Sequence, residues 1–171
     1  MVIQGEIAIK ARKRQLSMDY DRPAPASFSA GFTFHGSHSR SVDTKGRFNL
    51  PCQFRVSGED KYVVSRGADG TLTLVPYSVW LENFNRLRQG KPGPELRRNL
   101  RRMSLASKVV EPDQQGRVAV PRETLDGSGI ERKIAIVGMG SYMELWDPQQ
   151  LEQTDSGAEE FDAGFMDEFY R

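Results

Sequence analysis

The sequence predicts a mainly β protein with short helices, an α+β chain built from two copies of one small unit. Three observations lead there. Asp43-Thr-Lys-Gly-Arg47 followed by Phe-Asn-Leu-Pro51 recurs 70 residues on as Asp113-Gln-Gln-Gly-Arg117 followed by Val-Ala-Val-Pro121. Short apolar segments come in the same order after each motif: Lys61 to Gly67 and Leu72 to Pro76 in the first copy, Lys133 to Gly138 and Met143 to Asp147 in the second. One copy spans about fifty residues, too few to bury a core alone, so the two copies are expected to pack together or against neighbouring chains.

Residues 1–33 join a basic cluster, Lys10 to Arg14, to a Pro/Ala/Ser stretch from Arg22 to Ala30, and are expected to form a flexible extension. Met18 lies inside it, which leaves open whether the segment reflects the choice of start. The first unit is assigned to residues 34–82. His35 and His38 open it on a strand edge, facing opposite sides of the strand. In Asp-x-x-Gly-Arg the Asp can bond the backbone ahead of it and the Gly accepts positive φ, so each motif predicts a tight turn. Phe48 and Leu50, like Val118 and Val120, alternate with polar or small residues. Each Arg therefore opens a half-buried strand that Pro51 or Pro121 closes.

Between the copies, Val79 to Arg88 and Glu95 to Met103 read as helices, separated by the Gly90-Lys-Pro-Gly-Pro94 break. Residues 83–104 form an Arg-rich helical linker and 105–151 the second unit. Residues 152–171 form an acidic tail, in which Phe161, Phe165 and Phe169 recur every four residues and would share one face of a frayed terminal helix. The sharper alternative for that stripe is docking to a neighbouring subunit. Trp80, Trp146, Phe48 and Leu145 are expected in the core or a subunit interface.

Composition narrows the function classes. Of 171 residues 37% are hydrophobic, enough for a modest core, and no apolar run is long enough for a membrane span or a signal peptide, so a cytoplasmic protein is expected. Cys52 has no partner cysteine, and with only His35 and His38 beside it the chain lacks the usual ligands of a zinc site; no metal or other cofactor is expected. The chain carries no Gly-rich phosphate loop ending in Lys-Ser/Thr and no nucleophile-elbow serine, so it is read as not an enzyme, with no small-molecule substrate. A small hydrolase stays a remote alternative. Net charge is only +1, yet residues 34–152 carry 18 Lys and Arg against 14 Asp and Glu, while 153–171 carry one against six. A mildly basic body with an acidic tail suits a polyanion partner.

With these residues in hand, the chain resembles the MraZ family, whose members carry two SpoVT-AbrB units in tandem. The match begins at Phe34-His-Gly36, runs through Val42-Asp-Thr-Lys-Gly-Arg47, Pro51, Arg101-Arg102 and Asp113 to Pro121, and ends near Glu144-Leu-Trp146. The family start lies close to Phe34, which sets residues 1–33 apart. The resemblance implies two swapped-hairpin AbrB-like units in a double-psi-like barrel, assembled into a ring-shaped homo-oligomer. It also implies binding to short direct promoter repeats, and repression of the division and cell-wall gene cluster containing the chain's own gene. Competing expectations are an AbrB-type antitoxin with a toxin partner, and an oligomeric scaffold that binds no DNA.

Arg47 is the first candidate for DNA contact. A guanidinium projecting from a rigid strand end can take guanine O6 and N7 in the major groove, worth about 1–3 kcal/mol of discrimination. An ion pair with Asp43 across the turn is the plainer reading, and the two coexist if Asp43 orients Arg47. Lys45 on the same turn suits a phosphate. Arg117 and Asp113 are the repeat-related pair, but Gln114-Gln115 replaces Thr44-Lys45, so the first copy is expected to dominate contact with DNA. Arg97, Arg98, Arg101 and Arg102 form one broad basic helix face. That face is solvated, contacts phosphate, or pairs with the acidic tail, which would then act as a DNA mimic.

Overall fold

The computed structural model describes residues 33–67, 69–90, 92–156, 164 and 168. Among the described residues eight strands form two antiparallel sheets: β1 Ser37–Ser41, β2 Arg47–Asn49, β3 Tyr62–Arg66, β4 Leu72–Pro76, β5 Lys108–Val110, β6 Arg117–Ala119, β7 Lys133–Gly138 and β8 Met143–Trp146. Six of them run in the order β1-β7-β8-β4-β3-β5, and β2 pairs with β6 as a separate two-stranded ribbon. The helices are α1 Tyr77–Arg88, α2 Pro94–Ala106, the short α3 Arg122–Asp126, and α4 Pro148–Asp155. A mixed fold, mainly antiparallel β with short helices, is what the short alternating segments predict.

Strand order shows how the two copies combine. The hairpins β3–β4 and β7–β8 meet at the centre of the large sheet, where Thr73 stands opposite Glu144. Each copy's leading strand then crosses to the other copy's hairpin: β1 pairs with β7, and β5 with β3. Read from either edge, the sheet presents the same series of elements with the copies exchanged. The ribbon obeys the same two-fold relation, with Phe48 opposite Val118 at its centre. Neither copy's hydrogen bonds close without the other.

The pattern of burial follows the strand periodicity. In β4, Leu72, Leu74 and Pro76 point inward; Phe48 and Val118 face the core from the ribbon, and Leu50 and Val120 follow them into it. β7 buries Ile134, Ala135 and Ile136 in succession, as suits a strand with α4 also packed against it. Tyr62 is buried with its hydroxyl donating to the Phe54 carbonyl at 3.2 Å and accepting from the Val56 N–H at 3.2 Å. Burial raises its pKa. Phe48, Leu145 and Trp146 join this core, as expected.

His38 lies half-buried in β1 with its ring edge-on to Phe54 at 5.0 Å, while His35 precedes the strand and is exposed. The linker helices run slightly longer than the sequence suggested. α1 begins directly after Pro76, and α2 takes Pro94 as its first residue, a position where the missing N–H costs nothing. Neither helix buries a residue completely. On α1, Trp80 stacks 4.8 Å from Phe84 and 6.4 Å from Tyr77 and is only half-buried, so it lies outside the core. The aromatic stripe Phe161, Phe165 and Phe169 lies outside the described residues.

Candidate nucleic-acid interface

Both Asp-x-x-Gly-Arg segments fold into the same hydrogen-bonded turn. The Asp43 N–H donates to the Arg47 carbonyl at 2.9 Å and the Gly46 N–H to the Asp43 carbonyl at 3.0 Å; the equivalent bonds around Asp113 measure 2.9 and 2.8 Å. Asp43 Oδ1 accepts the N–H groups of Lys45 and Arg47, each at 2.9 Å, and Oδ2 accepts Arg47 Nε at 2.7 Å. Asp113 does the same for Gln115, Arg117 and Arg117 Nε, at 2.9, 2.9 and 2.8 Å. One carboxylate thus ties the turn backbone and the arginine side chain together.

That bonding sets the electrostatics. The Asp43 carboxyl is held below the ordinary aspartate value, first by the Arg47 backbone N–H, against an opposing desolvation, and then by the Arg47 guanidinium and the Lys45 N–H. For Asp113 the order is the Arg117 N–H, then the Arg117 guanidinium, with desolvation opposing. Both carboxylates stay ionised at neutral pH. Each Asp occupies Nε, and the terminal nitrogens of Arg47 and Arg117 have no hydrogen-bond partner among the described residues. Both arginines remain about one-third exposed, at 35% and 36%.

Positive φ favours glycine at the fourth position of each turn. Gly46 and Gly116 have φ of +75° and +74°, where a Cβ is strained. At Gly46 a Cβ would also collide with the Val120 carbonyl oxygen, whereas at Gly116 it would displace the end of the Arg55 side chain. Gly46 O accepts the Val120 N–H and Gly116 O accepts the Leu50 N–H, both at 3.0 Å. These bonds extend the ribbon ladder at both ends.

Register decides which side chains share a face. Arg47 stands opposite Ala119, and Asn49 opposite Arg117, so these four lie on one side of the ribbon while Phe48 and Val118 lie on the other. The two arginines are diagonal neighbours, with Cα atoms about 8 Å apart for a rise of 3.4 Å per residue and a strand spacing near 4.8 Å. Arg47 and Arg117, each bonded to its own carboxylate, therefore share one face of the ribbon, and Lys45 is exposed in the first turn. The arginines of α2 are not part of that ribbon: Arg97, Arg98, Arg101 and Arg102 are all exposed, on a helix that packs against α1 and β3. Among the described residues no ion pair reaches them.

The motif spacing gave no sign of a further arginine. Arg55 follows the 3-10 turn Cys52–Phe54, donates from Nε to the Leu50 carbonyl at 2.8 Å and from Nη2 to Asn49 Oδ1 at 2.6 Å, and lies over Gly116. It lies outside both motifs, and only the pairing of β2 with β6 brings it to the second turn. Beside the first turn is a cleft of about 380 Å³ lined by Val42, Asp43, Thr44, Arg122, Asp126, Glu131 and Arg132. Arg122 offers little there, because Nε holds Asp126 Oδ1 at 2.8 Å and its terminal nitrogens hold the carbonyls of Glu131 and Ile130.

Comparison with known proteins gives a consistent result. Residues 103–169 match the family model described as "MraZ protein, putative antitoxin-like". The Transcriptional regulator MraZ of Thermomicrobium roseum is 38% identical over 120 residues, covering 68% of this chain and 82% of that protein. Its namesake in Kineococcus radiotolerans is 34% identical over 135 residues, 78% of this chain and 92% of that protein. The one in Cutibacterium acnes is 32% identical over 128 residues, 74% and 90% of the two chains.

Proposed function

The chain belongs to the MraZ family, and on that premise we propose that it is a sequence-specific DNA-binding transcriptional regulator that presents the β2–β6 ribbon to DNA. It acts as a homo-oligomer on short direct repeats, repressing the division and cell-wall cluster that contains its own gene, in the cytoplasm at the nucleoid. The relatives' shared name supports regulation of transcription. The observation that carries DNA contact is the pair of Asp-anchored, part-exposed arginines on one face of a two-stranded ribbon, their terminal nitrogens without a hydrogen-bond partner among the described residues.

The chemistry follows from that geometry. A major groove about 12 Å wide admits a two-stranded ribbon, and an Arg fork reads guanine through O6 and N7. Because Asp43 and Asp113 already hold Nε, each arginine enters the groove oriented, and less rotamer entropy is lost on contact. Lys45 serves phosphate and adds salt dependence. The arginines of α2 give a second basic surface, for phosphate or for the acidic tail.

Apolar surface on the linker helices and edge supports self-association. Leu105 is 73% exposed and Val109 55%, with Leu81 and Leu87 exposed on α1. Trp80 Nε1 is enclosed without an acceptor among the described residues. A second copy is the simplest cover for this surface, and a ring of such copies would bind repeats at matching spacing through effective concentration.

The test is binding of wild type and Arg47→Ala to DNA just upstream of the chain's own gene, against shuffled DNA, at two salt concentrations. Specific, salt-sensitive binding that Arg47→Ala loses at unchanged oligomer size is the expected result. No preference over shuffled DNA would refute autoregulation. The words "antitoxin-like" in the family description favour one competing reading, a toxin partner, which a pull-down with the intact oligomer would detect.

A further inference from the structure

The two turns carry unequal charge in sequence. Asp43, Lys45 and Arg47 leave the first turn with one net positive charge, whereas Asp113, Gln115 and Arg117 leave the second neutral. The structure adds Arg55 to the second turn. Its guanidinium lies over Gly116, held by the Leu50 carbonyl and by Asn49, which itself stands opposite Arg117 in the ribbon. Counting Arg55, both turns carry the same charge.

We propose that Arg55 is the second turn's phosphate-contacting cation, lent by the first unit to replace the lysine that position 115 lacks. This rests on the DNA-binding reading above and deepens it. The repeat supplies the contrast: 70 residues on from Arg55 stands Leu125, fully buried, with Cδ1 3.3 Å from where a Cβ on Gly46 would lie. A core leucine therefore suffices to pack the niche beside one turn. An exposed arginine in the matching niche does something more than pack. Arg55 has no carboxylate partner among the described residues, and Nη1 has no hydrogen-bond partner there, so its charge faces outward unneutralised. Two hydrogen bonds already fix the long side chain, so engaging a phosphate costs little further ordering.

The test is the slope of log Kobs against log salt on the upstream duplex and on a shuffled duplex, for wild type, Lys45→Gln, Arg55→Gln, Arg55→Lys and the double variant Arg55→Gln/Gln115→Lys. Arg55→Gln should reduce the slope by about 0.9 for each subunit engaged, as Lys45→Gln does, and weaken both duplexes alike. Arg55→Lys should keep the slope, since it keeps the charge. Gln115→Lys should restore it in the Arg55→Gln background, because it rebuilds the first turn's arrangement. An unchanged slope in Arg55→Gln overturns the proposal, as does a loss that Gln115→Lys fails to restore, which would make Arg55 only a pin for the strand end. Should Arg55→Gln not fold, a reduced slope in Arg55→Lys at wild-type urea midpoint would overturn it equally. A wild type that binds neither duplex overturns the DNA-binding reading itself.

Discussion

Residues 47 and 48 are neighbours in one strand and should fail in opposite ways. Phe48 is 1% exposed, stands opposite Val118, and faces the core, so Phe48→Ala removes a fully buried ring and leaves a cavity. Substitutions of that kind cost about 3–5 kcal/mol, a large part of the roughly 5–15 kcal/mol that holds a domain folded. Arg47 lies on the other face with a partly exposed ion pair, and Arg47→Ala should cost less than about 1 kcal/mol. The assay is urea unfolding followed by tryptophan fluorescence, where Trp146, buried with Nε1 donating to Glu144 Oε2 at 2.9 Å, reports on the core. All variants are compared at one protein concentration, since the apparent stability of the proposed oligomer follows mass action. DNA binding measured on the folded fraction should be lost in Arg47→Ala and kept in Phe48→Ala. A Phe48→Ala cost below about 1 kcal/mol, or an Arg47→Ala cost that matches it, would refute the assignment of inner and outer ribbon faces.

The turn carboxylates give a pH dependence with a defined sign. Asp43 and Asp113 are lowered in the folded state, so their contribution is complete above the ordinary aspartate pKa of about 3.9 and is lost as pH falls through the lowered folded values; the urea-midpoint gap between wild type and Asp43→Asn/Asp113→Asn should be constant from pH 5 to 7 and shrink below pH 4. Leu105→Glu places a charge on an apolar residue that is 73% exposed, and should reduce the sedimentation coefficient of the proposed oligomer while leaving the far-UV circular dichroism unchanged. Deleting residues 153–171 removes six acids against one arginine and should tighten binding to the upstream duplex if the tail competes for basic surface; unchanged or weaker binding removes that idea.

The turns and their strands were legible because the local chemistry is complete within nine residues: Asp to bond ahead, Gly for positive φ, alternating apolar residues, then Pro. The helix break at Gly90 to Pro94 was legible for the same reason. Partner choice between strands was not. Ser37–Ser41 is polar throughout, and nothing within it names β7, nearly a hundred residues away, as its neighbour. The repeat announced two units and implied that they pack, but the crossing of β1 and β5 is a property of long-range register, which local patterns do not encode. Arg55 escaped notice for the same reason: it belongs to the first unit in sequence and to the second turn in space. Trp80, whose indole N–H meets no acceptor among the described residues, is expected from the sequence in the core or an interface, and its half-buried position excludes the first.

The crossed strands also impose a timetable on synthesis. β1 is complete at Ser41, but its partner strand among the described residues begins at Lys133, so at about 5–20 residues per second β1 waits on the order of 5–20 s for it. Meanwhile the β3–β4 hairpin emerges with both edges open; β5 closes one, and the other waits for β8, the last strand made. A nascent chain of this protein thus carries unpaired strand edges until its final strand is translated, and crowded polysomes are where it is most exposed to pairing with the wrong copy of itself.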